Sequence, residues 1–304
     1  MKVGMIGLGG MGKPVAECIL REGFNLTVTD LRQGQIDALV SAGAKSAKTP
    51  AEIAAASDIV ISSLPSNAAS EEVALGSNGV LAGAKQGDIY IDTSTISPEV
   101  IQLIEAEGAK KGVGVLDAPV SGSGDQRQNG TLTVMVGGDV ATFERARPVL
   151  ESFGGNIFHV GPLGSGAKIK LINNLVMACN AAACMEGLLL GVKAGLTPQI
   201  VHDVLKVSSG GSTIMNNIAA RLADTPTKPR RGEGATQGLH TVSKDVRLAS
   251  EMARALGFPM IMGSAATQAW IAGDAKGLQT HEMWSLIHVF EEFTGVVMDK
   301  AKQH

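Results

Sequence analysis

Cysteine is scarce in this chain. Its 304 residues hold only Cys18, Cys179 and Cys184. None of the three stands in CxxC spacing, so neither a disulfide scaffold nor a thiolate metal cage is expected. They read as reduced core residues of a cytoplasmic protein. Clusters of His, Asp and Cys at metal-ligand spacing are absent too, and no metal site is predicted. Basic runs are short: none is longer than Arg230–Arg231, and the net charge is −3. That balance argues against nucleic acid as the main partner. The N-terminus enters strand-like sequence at Lys2, so no signal peptide is expected. The longest apolar region, LINNLVMACNAAACMEGLLLGVKAG (171–195), is broken by Asn173, Asn174, Asn180 and Glu186. Lipid would meet those polar groups on several faces, so a buried helix is expected and no membrane partner. Internal repeats and low-complexity segments are also missing.

What is present is a well-buried chain of two-domain size. Hydrophobic residues make up 44% and charged residues 18%, and single cores usually divide above roughly 250–300 residues. The first half alternates strand-like and helical stretches. KVGMI, LTVTD, DIVISSL, IYIDTS, GVLDAP, LTVMVGG and IFHVG read as strands, with helical stretches such as GQIDALVSAG and EVIQLIEAEGAKKG between most of them. Continuous apolar strands in βαβα order predict a parallel sheet with helices on both faces. After GPLGSG (161–166) long Ala/Leu/Met-rich helical stretches run to the end. The expected fold class is therefore α/β: an N-terminal Rossmann-type doubly wound sheet over 1–163, with its boundary near Leu163, followed by an all-α domain over 164–304. Breaker-rich ADTPTKPRRGEGATQG (223–238) is expected to be a loop.

Gly7, Gly9 and Gly12 form GxGxxG between the strand VGMI and the helix KPVAECILREG; Gly10 and Met11 complete the turn. A lone GxGxxG is weak, but here a second strand follows and ends at Asp30. Gly7 permits the tight turn, Gly9 lets a pyrophosphate approach the backbone, and Gly12 lets the helix pack on the strand. The phosphates then meet free N–H groups at the helix N-terminus. Asp30 is placed to accept from the adenosine ribose hydroxyls and to repel a 2′-phosphate, which favours NAD. Arg32, two residues on, leaves NADP open.

Three further motifs line up with the first: DAPVSGSGDQRQNGTL (117–132), GSGAKIKLINN (164–174) and SKD (243–245). Together with GLGGMGKP (7–14) they resemble the β-hydroxyacid dehydrogenase family, which includes 3-hydroxyisobutyrate dehydrogenases and tartronate semialdehyde (2-hydroxy-3-oxopropionate) reductases. The match spans nearly the whole chain in order. The resemblance implies hydride transfer between a nicotinamide dinucleotide and a small anionic β-hydroxyacid or its semialdehyde, in an active site between the two domains. It implies Lys170 and Asn174 as catalytic residues that also touch the substrate. It places Leu64, Pro65, Thr95 and Lys244 at the cofactor, and Ser121, Gly122 and Ser123 at the substrate.

Residue chemistry agrees with those roles. Lys170 and Asn174 are i,i+4 on one helical face. A buried ammonium can pass a proton to or from the reacting oxygen, and burial is expected to lower its pKa toward working pH. Asn174 can hold either that lysine or the substrate hydroxyl. Lys168 points about 200° round the helix and is expected to be solvated. Departures from the family pattern lie around the substrate. Gly122-Ser123 stands for the usual Gly-Gly, Gln126, Arg127 and Gln128 replace small residues, and Gln237 stands where an aromatic is usual. Arg127 reads either as a solvated loop charge or as an added anion contact. Apolar faces in AACMEGLLLGVKAG and VFEEFTGVVM suggest a homodimer or homotetramer. Two other readings stay open: an imine reductase of the same architecture, which generally lacks the lysine at position 170, and a non-catalytic dinucleotide-binding scaffold or sensor.

Overall fold

The structure, a computed structural model, describes residues 1–122, 124–222 and 238–298. The chain divides into two compact units, Met1–Lys170 and Leu171–His304.

Unit 1 alternates strands and helices: β1 (Lys2–Ile6), α1 (Gly12–Arg21), β2 (Asn25–Thr29), α2 (Gln33–Ser41), β3 (Lys45–Ser46), α3 (Pro50–Ala55), β4 (Ile59–Ser62), α4 (Asn67–Leu75), α5 (Val80–Gly83), β5 (Ile89–Asp92), α6 (Pro98–Ala109), β6 (Gly114–Asp117), β7 (Val120–Ser121), α7 (Gly124–Asn129), β8 (Leu132–Gly137), α8 (Val140–Leu150) and β9 (Gly154–Gly161). The sheet order is β3-β2-β1-β4-β5-β6-β8-β7, with β9 on β8. From β3 to β6 every pairing is parallel, which is the doubly wound order whose switch point lies between β1 and β4. One apolar layer packs Val15, Ile19, Leu39, Phe143 and Val149 of α1, α2 and α8 against the sheet, and a second holds Ile53, Val80, Ile101 and Ile104 of α3, α5 and α6. Helices thus cover both faces, as buried parallel strands require.

All seven strand-like runs form strands. Two more, β3 and β7, are two residues long each, too short to leave a periodic signal. β8 runs antiparallel to β6 and β7, against the all-parallel expectation. The connection after β6 holds only β7 and the six-residue α7, and a crossover over the sheet face needs a longer one.

Helix α9 (Ser165–Lys193) begins at the end of unit 1 and continues into unit 2. Unit 2 adds α10 (Pro198–Leu205), α11 (Thr213–Leu222), α12 (Leu239–Ala255), α13 (Ile261–Ala275), a 3-10 turn (Met283–Leu286) and α14 (Ile287–Thr294). Its core gathers Ala178, Met185, Leu189, Met215, Val242 and Trp270, and Trp270 Nε1 donates to the Ala178 carbonyl at 3.3 Å. Cys18 and Cys184 are buried and Cys179 is partly so; all three are free thiols. The breaker-rich segment falls at 223–237 outside the described residues, as does Gln237; Gly238 forms a single bridge with Glu282.

Two glycines let α1 meet the sheet. Gly7 has φ +84°, a region that L side chains rarely occupy, and a Cβ there would lie 2.4 Å from the Ser63 carbonyl oxygen. A Cβ on Gly12 would lie within 2.9 Å of Met5 Cε and closer still to the Gly7 carbonyl. Gly12→Ala is therefore expected to push α1 off β1 and to cost about 1–3 kcal/mol in urea unfolding of the cofactor-free protein. Unchanged stability would mean that α1 does not approach β1 this closely.

Candidate active site

One register row places most of the site segments of unit 1. Across the carboxyl ends of the strands, Thr29 pairs with Ile6, Ile6 with Ser62, Ser62 with Asp92, Asp92 with Asp117, and Asp117 with Gly137. Each predicted segment begins one or a few residues later: Asp30 after Thr29, the glycine turn after Ile6, Leu64 and Pro65 after Ser62, Thr95 after Asp92, and Ser121 and Gly122 after Asp117. The ladder continues one step into these turns, with Gly7 N donating to Thr29 O at 3.0 Å, Ser63 N to Ile6 O at 2.9 Å, Thr93 N to Ser62 O at 2.9 Å and Ala118 N to Asp92 O at 2.8 Å. Leu64 N donates to Ser94 Oγ at 2.8 Å, and Ser94 N to Asp92 Oδ1 at 2.8 Å. The Leu64–Pro65 turn is thereby tied to the Thr95 turn. Asp92 is fully buried, and burial raises its pKa against the opposing bonds from Ser94.

The glycine turn fits a dinucleotide. No side chain caps α1 at Met11, and its first turn carries no acid. A Cβ on Gly10 would meet nothing within 4 Å, and one on Gly9 only the Arg32 guanidinium at 3.9 Å. The helix thus presents open N–H groups and an uncrowded backbone, as an anion needs. Asp30 sits beside them. Its carboxylate accepts from Leu8 N at 2.6 Å, and from Arg32 N at 2.8 Å and Nε at 3.0 Å. Burial pushes the Asp30 pKa up, but the Arg32 and Leu8 bonds outweigh it and hold the carboxyl below its ordinary range. Asp30 is ionised, and the exposed Arg32 guanidinium lies on it.

Of the residues expected at the substrate, Ser121 closes β7, paired with Thr133, and Gly122 follows, half-buried. Ser123 lies outside the described residues. Lys170 is 8% exposed, whereas Lys168 is exposed, the helix register expected. The first turn of α9 is held by Asp117. Its Oδ1 accepts from Gly164 N at 2.8 Å and its Oδ2 from Ala167 N at 2.7 Å. A residue in the row before the Ser121–Gly122 turn thus also anchors the helix that carries Lys170. Burial pushes the Asp117 pKa up to about 6, with the Ala167 and Gly164 N–H groups working against it.

In unit 2, Asn174 is buried and its Nδ2 donates to Asp245 Oδ2 at 2.6 Å. Lys244 Nζ lies 3.0 Å from Asp245 Oδ1. The buried Asp245 therefore joins two residues that the motifs singled out separately. Neither Asp117 nor Asp245 stood out by type or spacing, although both lie inside the quoted motifs. Arg127 needs a correction. It is only 6% exposed, so it is not a solvated loop charge, and its Nη1 donates to the Gly10 carbonyl of the glycine turn at 3.2 Å. Among the described residues no group of His, Cys, Asp and Glu is arranged to hold a metal.

The parallel sheet, the glycine turn at the start of α1 and the acid just past β2 are the parts of a dinucleotide-binding fold. Two family models match the chain: the NAD binding domain of 6-phosphogluconate dehydrogenase over residues 2–161, and the NAD-binding region of NADP-dependent 3-hydroxyisobutyrate dehydrogenase over residues 164–290. The 2-(hydroxymethyl)glutarate dehydrogenase of Eubacterium barkeri is 39% identical over 296 residues, covering 97% of each chain. The crystal structure of a 3-hydroxyisobutyrate dehydrogenase from Salmonella typhimurium superposes with a TM-score of 0.86 at 29% identity, over 95% of this chain and 100% of that one. An imine reductase from a Pseudomonas species shares the fold at 19% identity, with a TM-score of 0.60 over 95% of this chain and 99% of that one. The chain belongs to the 3-hydroxyisobutyrate dehydrogenase-like family of β-hydroxyacid dehydrogenases. It is a NAD(P)-dependent enzyme that transfers a hydride between the dinucleotide and a small β-hydroxyacid or its semialdehyde.

The Asp117 shift has a measurable sign. Its folded pKa, about 6, lies above the ordinary 3.8, so the native state binds more protons than the unfolded state between those values. This acid's contribution to stability is therefore present at pH 4 and lost as pH rises to 6, by an amount on the order of 3 kcal/mol. In urea unfolding at pH 4, 5, 6 and 7, Asp117→Asn should remove that slope. A constant stability difference between variant and wild type would show that Asp117 does not titrate there.

Proposed function

We propose that Lys170 is the proton donor and acceptor of this reaction, because it is the buried ammonium on the helix that Asp117 anchors beside the substrate turn. The bound nicotinamide supplies or takes the hydride. Lys170 then delivers a proton to the carbonyl oxygen of a semialdehyde during reduction, or withdraws it from the hydroxyl during oxidation. Asn174 and Lys244, both tied to Asp245, belong to the same machinery: Asn174 orients the reacting group and Lys244 serves the cofactor. Ser121 and Gly122 receive the substrate carboxylate with their hydroxyl and N–H groups, and the half-exposed turn they occupy supports this role. The anionic substrates we favour are C3–C4 hydroxyacids and semialdehydes, tartronate semialdehyde among them.

NAD is favoured over NADP. Asp30 is ionised where the adenosine ribose binds, and a carboxylate there repels a 2′-phosphate while the Arg32 guanidinium only partly offsets it. Three free thiols support a reducing compartment, the cytoplasm. The intact lysine favours the dehydrogenase over an imine reductase or a silent scaffold.

Lys170→Ala should lower kcat by about 10²–10⁴-fold while NADH binding persists, since the phosphate turn is built by other residues. Lys170→Arg should restore little, because a guanidinium stays charged and returns no proton. Lys168→Ala, on the exposed face, should be nearly silent. Single-turnover hydride transfer with a panel of C3–C4 semialdehydes reads all three; full activity in Lys170→Ala would remove the lysine from the mechanism.

A homodimer or homotetramer is part of the same reading. Leu256, Phe258, Ile261 and Met262 stand exposed together around the α12–α13 connection, each at 65% or more, a large apolar cost for a lone chain in water. Sedimentation velocity at micromolar concentration should find an oligomer, and Ile261→Glu or Met262→Glu should shift it toward monomer. A monomeric wild type would count against the proposal.

A further inference from the structure

Helix α1 has a gap in its hydrogen-bond ladder, and a residue 117 positions away fills it. Lys13 N donates to Gly9 O at 3.1 Å, and Val15 N donates to Met11 O at 3.3 Å. The bond between these two would run from residue 14 to the carbonyl of Gly10. Residue 14 is proline and has no N–H. The carbonyl of Gly10 instead accepts from Arg127 Nη1 at 3.2 Å. Arg127 is 6% exposed, and its backbone is fixed to α1 as well. Cys18 Sγ contacts the Arg127 carbonyl at 3.5 Å, and Arg21 Nη1 donates to the Gln128 carbonyl at 3.0 Å. Helix α7, in the segment that carries Ser121 and Gly122, is thus bolted along the first helix of the dinucleotide fold.

The bond has a consequence on the far side of the peptide. A trans peptide is planar, and its C=O and N–H point in opposite directions. Holding the Gly10 oxygen toward Arg127 therefore aims the Met11 N–H the other way. Met11 opens α1, where no side chain caps the helix and a Cβ on Gly10 would meet nothing. That is where N–H groups meet the phosphates of a dinucleotide.

We propose that Arg127 is a cofactor-positioning residue: through the Gly10 carbonyl it fixes the Gly10–Met11 peptide in its phosphate-binding orientation, and in doing so links the substrate segment to the dinucleotide turn. Pro14 makes the contact necessary, because it removes the main-chain donor. Without Arg127 that peptide is free to rotate, and the cost appears as weaker binding of the pyrophosphate, not of the hydroxyacid.

The test uses the full-length protein without substrate. NADH and adenosine binding are titrated calorimetrically for wild type, Arg127→Met, Arg127→Lys, Pro14→Ala and the two Arg127 substitutions combined with Pro14→Ala. Arg127→Met should raise the NADH Kd about tenfold and leave the weaker adenosine Kd unchanged, since adenosine carries no phosphate. Arg127→Lys, which keeps a donor on a long stem, should recover part of the affinity. Pro14→Ala returns an N–H to the Gly10 carbonyl, so in that background the Arg127→Met loss should shrink to about twofold or less. An unchanged NADH Kd in Arg127→Met would overturn the proposal. So would an equal loss of NADH and adenosine, or an equal loss with and without Pro14. Should Arg127→Met fail to fold alone, the effect of Arg127→Lys measured with and without Pro14→Ala decides in the same way.

Discussion

The parallel register of five strands is the constraint from which the site of unit 1 follows. Thr29, Ile6, Ser62, Asp92 and Asp117 stand in one row, so the chain leaves the sheet at one level five times. The glycine turn, Asp30, the Leu64–Pro65 turn, the Thr95 turn and the Ser121–Gly122 turn are all products of that row. A parallel sheet makes this unavoidable: each strand needs a crossover helix, each crossover starts at the carboxyl edge, and functional loops gather there. Strand register is itself enforced by burial. A slip of one residue would turn Val3, Met5, Ile59, Ile61, Ile89 and Ile91 to the opposite helix layer.

On this frame, three buried charged groups do the fastening. Asp117 accepts from two N–H groups at the start of α9 and so relates the end of β6 to the helix of Lys170. Asp245 holds Asn174 and Lys244. Arg127 closes the gap that Pro14 opens in α1. Each places one buried polar side chain where it bonds a main-chain or amide group far away in sequence, and buried polar groups need such partners.

The parts of this arrangement that were legible in the sequence are those written in short spacings. GxGxxG between a strand and a helix, an acid at the end of the next strand, and lysine with asparagine at i,i+4 all declare themselves within about thirty residues, and the exposed Lys168 beside the buried Lys170 follows from helical geometry. The fastening residues could not be read that way. Asp117 meets partners 47 and 50 residues away, Asn174 meets Asp245 across 71, and Arg127 meets Gly10 across 117. Nothing local marks such pairs. Arg127 in particular reads from sequence as either a loop charge or an anion contact, since only the packing of α7 on α1 buries it and turns it to the Gly10 carbonyl. Antiparallel β8 was missed for a related reason: strand direction depends on the length and path of a connection, while the strand's own residues carry no sign of it.

The row has a last consequence for how the gene tolerates change. Every crossover returns to the sheet at its amino edge through turns such as 22–24, 42–44, 84–88 and 110–113, and none of the site segments lies on that edge. The two ends of the same strands therefore face different selection. At the carboxyl edge, adding or deleting a single residue displaces a turn that the shared register row sets in place. At the amino edge, the same insertion lengthens a surface turn. Variation in length among natural versions of this domain should collect at the amino edge, which also makes it the place to splice in an epitope, a linker or a fluorescent label without disturbing catalysis.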